Sequence, residues 1–540
     1  SNDTSLSPCA ARLMQRSHTQ CRNALKHCRS YSGTCGQRDY NAAVAALNSL
    51  QSNHAAVEAV RASGPPFNQW AIPRMVGWAR RVGYERSEFD RLNPIHIAGT
   101  KGKGSTSSFV SSILARYLAD HRSTEAGSLS PIVGLYTSPH LRSVRERIQI
   151  GNQPVSEELF AKYFWEVWDR LEIAGPKNDD ARATSSPSQA GGKPVYFHFL
   201  TLMALHCFMQ EKVGTAVVEC GIGGEYDTTN ILSRPSVTGI TSLGLDHQIL
   251  LGDTLDSIAW NKAGIFKKGA PAFTVCQPET AMQVLRSRAQ ERETSLHVVS
   301  PHPAVLDIEL GLQGSFQKTN ASLAVSLAAS HLRRLGFAGV PDPTDTSLPL
   351  APEVVAGLQG ARLGGRCDKR ADAARADLHW YLDGGHTSES IDVASQWFTE
   401  TSEPGATKIL IFNQQKRDAP ALVKRLHRNL ASTWRTSSPF EHVIFCPNVT
   451  YAHGFKADLV SINVSRDDVD SLHVQRGLAA TWRDIDPRTP VHMNSTIEGA
   501  IAHARTIADG RNVDVLVTGS LHLVGGVIEV LEGEEENQAD

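Results

Sequence analysis

No apolar run in the 540-residue chain is long enough to cross a bilayer, and a formal net charge of -2 lacks the basic excess that nucleic-acid binding calls for. Neither a membrane span nor a nucleic-acid partner is expected. The nine cysteines are an odd set without paired metal-ligand spacing, which reads as free thiols in a reducing compartment. Cys220 and Cys276 are expected within strands. No compact group of three imidazole or thiolate ligands argues for zinc. Ser520 and His522 lie outside any nucleophile-elbow string and have no evident orienting acid, which speaks against a hydrolase pair. What the chain does have is length: 540 residues at 41% hydrophobic exceed one core and should divide into at least two domains.

Ahead of Asp39, six basic residues (Arg12, Arg16, Arg22, Lys26, Arg29 and Arg38) face a single acid, Asp3. Residues 1–39 read either as a mitochondrial presequence or its remnant, or as a flexible basic tail, so the expected compartment is mitochondrial and/or cytoplasmic. An amphipathic helix should open the body at Tyr40. Gly175 to Lys193 is rich in Gly, Ser, Pro and Asp without an apolar period, hence an exposed insertion. Tyr196 to Met209 resumes as a core helix, and Glu532 to Asp540 reads as a solvated acidic tail.

The chain is organised around Gly99-Thr100-Lys101-Gly102-Lys103-Gly104-Ser105-Thr106, which follows the apolar run Ile95 to Ala98 and precedes helical spacing from Ser107 to Asp120. Strand, glycine loop and helix in that order aim backbone N–H groups at one cavity, so polyphosphate is the expected ligand. Lys103 would reach phosphate, and Ser105 or Thr106 could offer a hydroxyl to phosphate or metal. Gly104 between Lys103 and Ser105 departs from the commonest P-loop spacing; a glycine-rich turn without function is the competing reading.

Other strand ends carry polar residues too. Ile132 to Tyr136 leads into Thr137-Ser138-Pro139-His140-Leu141, with Arg145 and Arg147 beyond, either an anion grip or a surface loop. Thr215 to Cys220 puts Glu219 before a glycine-rich turn. A carboxylate there is costly unless it meets a cation or donors, so Glu219 is expected to bind Mg2+, against the alternative that it accepts N–H groups from the turn. Val237 to Leu243 ends in Gly244-Leu245-Asp246-His247, where His247 could ligate a hard metal and Asp246 orient it. Leu251 to Leu255 reads as a helix with an acidic first turn. Lys262, on an apolar helix, would face phosphate or pair with carboxylates.

Taken in order, His96 to Ser105, Tyr136 to Leu141, Glu219 to Gly224, Gly244 to His247, Lys262 to Ile265 and Asp383 to Thr387 resemble the folylpolyglutamate synthases. These are ATP-dependent amide ligases related to the bacterial muramyl ligases. The resemblance spans Tyr40 to Gly526, and Glu225-Tyr226-Asp227 with Asn413-Gln414-Gln415 is most like the fungal type. It implies an α/β fold of two domains: a larger P-loop ATPase-like domain over 40–355, a linker over 356–369, and a smaller Rossmann-like domain over 370–540.

The resemblance also implies roles. ATP would be bound by Gly99, Thr100, Gly102, Lys103, Gly104, Ser105, Thr106, Gln317, Asn320, Arg366, Asp383 and His386. Ser138 and Glu219 match ligands of Mg2+, and His247 a ligand of a second Mg2+. Lys103, Glu219, His247 and Lys262 form the expected catalytic group, with Lys262 open to carbamylation; a monovalent cation is a further expectation. Phe316 replaces a common His, which argues against proton chemistry there. Leu363-Gly364-Gly365-Arg366 resembles a Trp-Pro-Gly-Arg linker with only its last two residues kept.

In the second domain, Thr407 to Phe412, His442 to Cys446 and Val513 to Thr518 read as mainly parallel strands. Asn413, Arg417 and Asp418 follow one strand end, where they could face the cleft. The implied substrates are reduced folate and L-glutamate, and the protein is expected to be a monomer: glutamate joins the γ-carboxyl of (poly)glutamyl tetrahydrofolate through an acyl phosphate, releasing ADP and phosphate. The alternative is a dihydrofolate synthase or a bifunctional enzyme.

Overall fold

A computed structural model describes residues 38–51, 69–121, 130–174, 192–415, 418–451, 472–508 and 510–539. The basic stretch up to residue 37, most of the Gly175 to Lys193 insertion, and Arg417 lie outside the described residues. Among the described residues, no helix is long and apolar enough to cross a membrane, and Cys207, Cys220, Cys276, Cys367 and Cys446 are free thiols.

The described chain builds two sheets. The first contains β1 (Ile95–Ala98), β2 (Val133–Tyr136), β3 (Ile148–Ile150), β4 (Gln153–Pro154), β5 (Thr215–Glu219), β6 (Val237–Ile240), β7 (Ala272–Val275) and β8 (Leu296–Val299) in the order β4-β3-β2-β5-β1-β6-β7-β8. From β2 to β8 the neighbours are parallel, and only the β2–β3 and β3–β4 pairings are antiparallel. The second contains β9 (Asp368–Ala371), β10 (Leu378–Leu382), β11 (Thr407–Phe412), β12 (His442–Phe445), β13 (Val491–Met493) and β14 (Val513–Thr518) in the order β13-β12-β11-β14-β10-β9. Here only β9 is antiparallel.

Parallel strands need crossovers, and helices supply them on both faces. One face of the first sheet is covered by the helices Tyr40–Ser49, Ala71–Val82, Glu157–Ala174 and Tyr196–Gln210, whose Phe160, Phe164, Phe199 and Phe208 are fully buried. The other face is covered by Lys103–Asp120, Gln317–Arg334 and Pro352–Gly360, through Phe109, Ile113, Leu323 and Leu358. The second sheet has the same three layers, with Ile497–Ile507 and Leu521–Ala539 on one face and Ser388–Thr401, Ala419–Trp434 and His473–Ile485 on the other. Two such sheets give a two-domain α/β fold, with candidate sites at the carboxyl ends of the strands.

Several local expectations need correction. Cys220 and Cys276 each fall one residue past a strand, and Cys276 is exposed. The helix expected at Leu251 begins instead at Leu255, because the Thr254 hydroxyl caps it by accepting from Ser257 N (3.1 Å). The helix Pro352–Gly360 packs on Lys103–Asp120 and β9 starts at Asp368, so the irregular connection is narrower than 356–369. Glu532, expected in a solvated tail, lies on the helix Leu521–Ala539 and is paired with Arg142 and Arg370. Asn413 is buried in an amide chain with Asn448 and Gln475, which withdraws its side chain from the cleft, and Asp418 caps a helix at Ala421 N.

Candidate active site

The loop after β1 sits at the centre of the first sheet, where β5 and β6 flank β1. Gly99 (φ +149°) and Gly102 (φ +88°) take backbone conformations that L side chains rarely adopt. A β-carbon would run into Thr241 at the first position and into the Asn320 amide at the second. The helix Lys103–Asp120 then starts at this loop, its N-terminus aimed at the cleft. The cradle is smaller than the sequence suggests: the N–H groups of Thr100 and Lys101 both donate to the Ser242 carbonyl (3.0 Å each), and the Thr100 hydroxyl is held at Gly244 (3.1 Å). The donors left for an anion belong to the helix start. With Gly104 following Lys103, the commonest P-loop arrangement is not present.

Lys103 and Lys262 converge on one acceptor. Lys262 Nζ donates to the Gly99 carbonyl at 2.6 Å, and Lys103 Nζ donates to the same oxygen at 3.1 Å. Burial, reinforced by the Lys103 charge, lowers Lys262 to about 7. The expected carboxylate partners of Lys262 are not its hydrogen-bond partners here.

Glu219 closes β5 and is buried. Its Oε2 accepts from Ser138 N (2.9 Å) and from the Thr137 hydroxyl. Burial pushes its carboxyl above the usual range; Lys103 opposes that most strongly, followed by the Thr137 hydroxyl, Ser138 N–H and Arg366. The structure therefore brings together Ser138, Glu219, Lys103 and Arg366, all named from sequence. A buried carboxylate beside a serine gives hard oxygen donors of the kind Mg2+ takes. Among the described residues, no group of three or more His, Cys, Asp or Glu gathers as a metal cluster.

His247 stands apart from that group. Its side chain is 41% exposed against 12% for Asp246, with Nε2 4.0 Å from Asp246 Oδ2. Asp246 also lies 3.8 Å from Lys101 Nζ, and Lys101 donates to the Thr387 hydroxyl (3.1 Å), a link between the two sheets that sequence reasoning missed. The signal was available only as a lysine in the glycine loop without an assigned role.

On the helix Gln317–Arg334, Gln317 Nε2 donates to Ser105 Oγ (3.1 Å) and Asn320 Nδ2 to Gln317 Oε1 (2.9 Å). Thr106 Oγ1 is buried with no hydrogen-bond partner among the described residues, an orphan that a ligand or water would satisfy. Phe316 packs against the core of the second sheet.

The second sheet contributes Asp383, at the end of β10. Its two oxygens accept from Cys367 N (3.0 Å) and Gly385 N (2.9 Å). Burial raises its carboxyl, opposed first by Arg366 and then by those N–H groups. His386 holds the Gly384 carbonyl through Nδ1 (3.1 Å). Arg366 thus influences both buried carboxylates, Glu219 and Asp383, from the junction between the sheets. A cavity of about 480 Å³ opens there, lined by Leu312, Gln313, Leu363, Arg366, Cys367 and Asp368. Lys103 and Glu219 lie outside its lining, so the cavity extends the charged site rather than containing it. The arginines after Ser138 are engaged internally: Arg147 Nε donates to His140 Nδ1 (2.8 Å) and Arg145 to the Val155 carbonyl (2.9 Å), which disfavours an anion grip by that loop.

Comparison with known proteins places this geometry. Residues 368–530 match the family model described as "Dihydrofolate synthetase, C-terminal domain". A curated folylpolyglutamate synthase of Saccharomyces cerevisiae is 46% identical over 500 residues, covering 92% of this chain and 87% of the relative. Among solved structures, a Mycobacterium tuberculosis folylpolyglutamate synthase complexed with ADP and AMPPCP aligns with a TM-score of 0.63 at 22% identity, covering 88% of this chain and 97% of its own. The Escherichia coli FolC in complex with DHPP and ADP aligns with a TM-score of 0.60 at 21% identity, covering 93% of this chain and 100% of its own. These two share the fold. With nearly half of its residues identical to the yeast relative across almost its whole length, the chain belongs to the folylpolyglutamate synthase family and is an ATP-dependent ligase.

Proposed function

We propose that the chain joins L-glutamate to carboxylates of the folate series, and that its acceptors include dihydropteroate as well as (poly)glutamyl tetrahydrofolate. The observation that carries the ligase chemistry is the convergence of Lys103 and Lys262 on the Gly99 carbonyl, with buried Glu219 held at Thr137 and Ser138 nearby. A triphosphate and a carboxylate repel each other, and fixed positive charge in a dry site is what lets them meet. Lys103 and the N-terminus of its helix would hold the phosphates, and Arg366 would add charge from the junction. Ser138 and Glu219 would hold Mg2+, with His247 reaching a second ion; bound metal would supply charge neutralisation at the transferring phosphoryl group.

Transfer of the γ-phosphoryl group to the acceptor carboxylate gives ADP and an acyl phosphate. Attack by the glutamate amine on the acyl carbon then expels inorganic phosphate and leaves an amide, the amine losing its proton. Closure of the two domains would keep water from the acyl phosphate. Lys262, lowered to about 7 by burial first and Lys103 second, carries a sizeable neutral fraction at neutral pH, which supports its carbamylation by carbon dioxide. A monovalent cation, and residence in mitochondria and/or cytoplasm, belong to the same proposal; the latter rests on the basic character of residues 1–39.

The choice of acceptor shifts from the sequence reading. Tetrahydrofolate extension alone was the first expectation, whereas the matched model over 368–530 carries the name of the dihydrofolate-forming enzyme, which favours including dihydropteroate. The name of the yeast relative supports retaining extension. Purified protein supplied with ATP, Mg2+ and labelled glutamate is expected to glutamylate both acceptors. Turnover of only one of them would restrict the function to that reaction.

A further inference from the structure

We propose that Leu141 and Arg142 form a latch between the domains that positions the Ser138 and Glu219 site. Thr137 and Ser138 hold the Glu219 carboxylate on the first sheet, and three residues beyond Ser138 the same loop enters the second domain. Leu141 packs on the core formed by Leu523, Val524 and Val527. A β-carbon at Gly525 would run into the Leu141 carbonyl, while β-carbons at Gly364 and Gly365 would sit 3.0 Å from its side chain. The socket is therefore made of backbone at close approach.

Next to this plug, Arg142 Nε donates to Glu529 Oε2 at 2.7 Å, and Arg142 also pairs with Glu532. The Glu529 side chain is 5% exposed, so the ion pair with Arg142 offsets part of the cost of burying its charge. Glu532 in turn holds Arg370 of β9 (2.7 Å). Gly525, Glu529 and Glu532 are spaced by four and then three residues, which puts socket and acids on one face of the helix Leu521–Ala539.

The segment between site and socket is not slack. Glu146 accepts the N–H groups of Leu141 (2.8 Å), Arg142 (3.0 Å) and Ser143 (2.9 Å) with its two oxygens. Displacement of the helix Leu521–Ala539 is thus transmitted through Leu141 and Arg142 to the residues that hold Glu219. Arg142 is a positioning residue in this scheme: its partners are Glu529 and Glu532, and it acts through the Ser138 loop. The inference rests on the ligase reading in one respect, that Ser138 and Glu219 serve the nucleotide's metal.

The test uses the full chain and five variants: Arg142→Ala, Arg142→Lys, Glu529→Gln, which removes the charge at constant size, the double variant Arg142→Ala/Glu529→Gln, and Leu141→Ala. Glutamate ligation is measured against Mg2+ and ATP, with nucleotide binding measured separately without Mg2+. Arg142→Ala and Glu529→Gln should each lower kcat by about 10- to 100-fold, the scale of an ångström-level misplacement. They should also raise the Mg2+ needed for half-maximal rate and leave metal-free nucleotide affinity unchanged. The double variant should lose no more than Arg142→Ala alone, because that change already breaks the contact with Glu529. Arg142→Lys should recover part of the rate, and Leu141→Ala should show the same kinetic pattern with the charges intact. A folded Arg142→Ala protein with wild-type kcat and Mg2+ requirement overturns the latch, as do losses in the double variant that simply add. Should the unaltered protein ligate no glutamate, the ligase reading fails instead, and small-angle scattering decides the latch: a larger radius of gyration for Arg142→Ala supports it, and an unchanged one overturns it.

Discussion

At the carboxyl end of the first sheet, Lys103 and Lys262 both donate to the Gly99 carbonyl, and Glu219 is buried with its Oε2 on a hydroxyl and an N–H. At the corresponding end of the second sheet, Asp383 is equally buried, yet both of its oxygens accept backbone N–H groups. The folds are alike and the strand ends are loaded differently. In the first domain the donors to Glu219 meet one oxygen, Oε2; in the second both oxygens of Asp383 hold the backbone on either side of the site, next to Arg366. The contrast fits the proposal that chemistry belongs to the first sheet and positioning to the second.

The largest effect expected from this contrast is on rate. Glu219→Gln keeps size and removes the charge offered to metal, so turnover should fall about 100- to 1000-fold, or about 2.7–4 kcal/mol, a common cost of losing a charge-stabilising contact. Because burial already disfavours the charged form, the unfolding midpoint should hold or rise. A soluble variant with near-full rate at limiting Mg2+ would remove Glu219 from the metal site.

Asp383→Ala should invert that pattern. Two buried N–H groups, of Cys367 and Gly385, lose their acceptor, at a stability cost of about 1–3 kcal/mol, and ATP affinity should weaken because Arg366 is no longer held. Denaturant titration and nucleotide binding check this. If both are unchanged, the second domain has no such role.

A smaller effect concerns acid. His331 is fully buried between the Thr215 hydroxyl (2.9 Å) and the Ser236 hydroxyl (2.6 Å), and burial, then Arg334, lowers it to about 3. His96, under the glycine loop, is lowered to about 3 by burial and then Lys267. Both belong to the first domain. Between pH 6.5 and 3 the unfolded chain binds protons that the native imidazoles refuse, so stability present above pH 6.5 is lost as pH falls, by up to about 1.4 kcal/mol per pH unit for each histidine. The first domain should therefore yield to acid before the second, and His331→Gln should flatten the slope. Equal acid loss in that variant would show that His331 stays neutral for no energetic gain.

Much of the first-sheet site was legible because local rules write it: an apolar strand, a glycine loop and a helix start around Lys103, and a carboxylate at the end of β5. The second-sheet reading was weaker for physical reasons. Asp383 at a strand end looks the same in sequence whether it faces nucleotide or backbone, and only the fold shows its oxygens taken. The short strands β9 and β13 are four and three residues long, too brief to show a period. Glu532 looked like the start of a solvated tail because its partners, Arg142 and Arg370, are distant in sequence. The donors of Thr100 and Lys101 were overcounted because their acceptor, the Ser242 carbonyl, comes from another strand end.

That the Lys103 and Glu219 site of the first sheet serves acyl-phosphate ligation is tested most directly by coupling. ADP release and glutamate incorporation are followed together in the full-length protein, with folate acceptor, glutamate or Mg2+ omitted in turn. Equimolar ADP and amide are expected in the complete mixture, with no sustained ADP release without the acceptor. ADP release at the same rate with neither acceptor nor glutamate present would contradict it, leaving a nucleotide hydrolase on this fold.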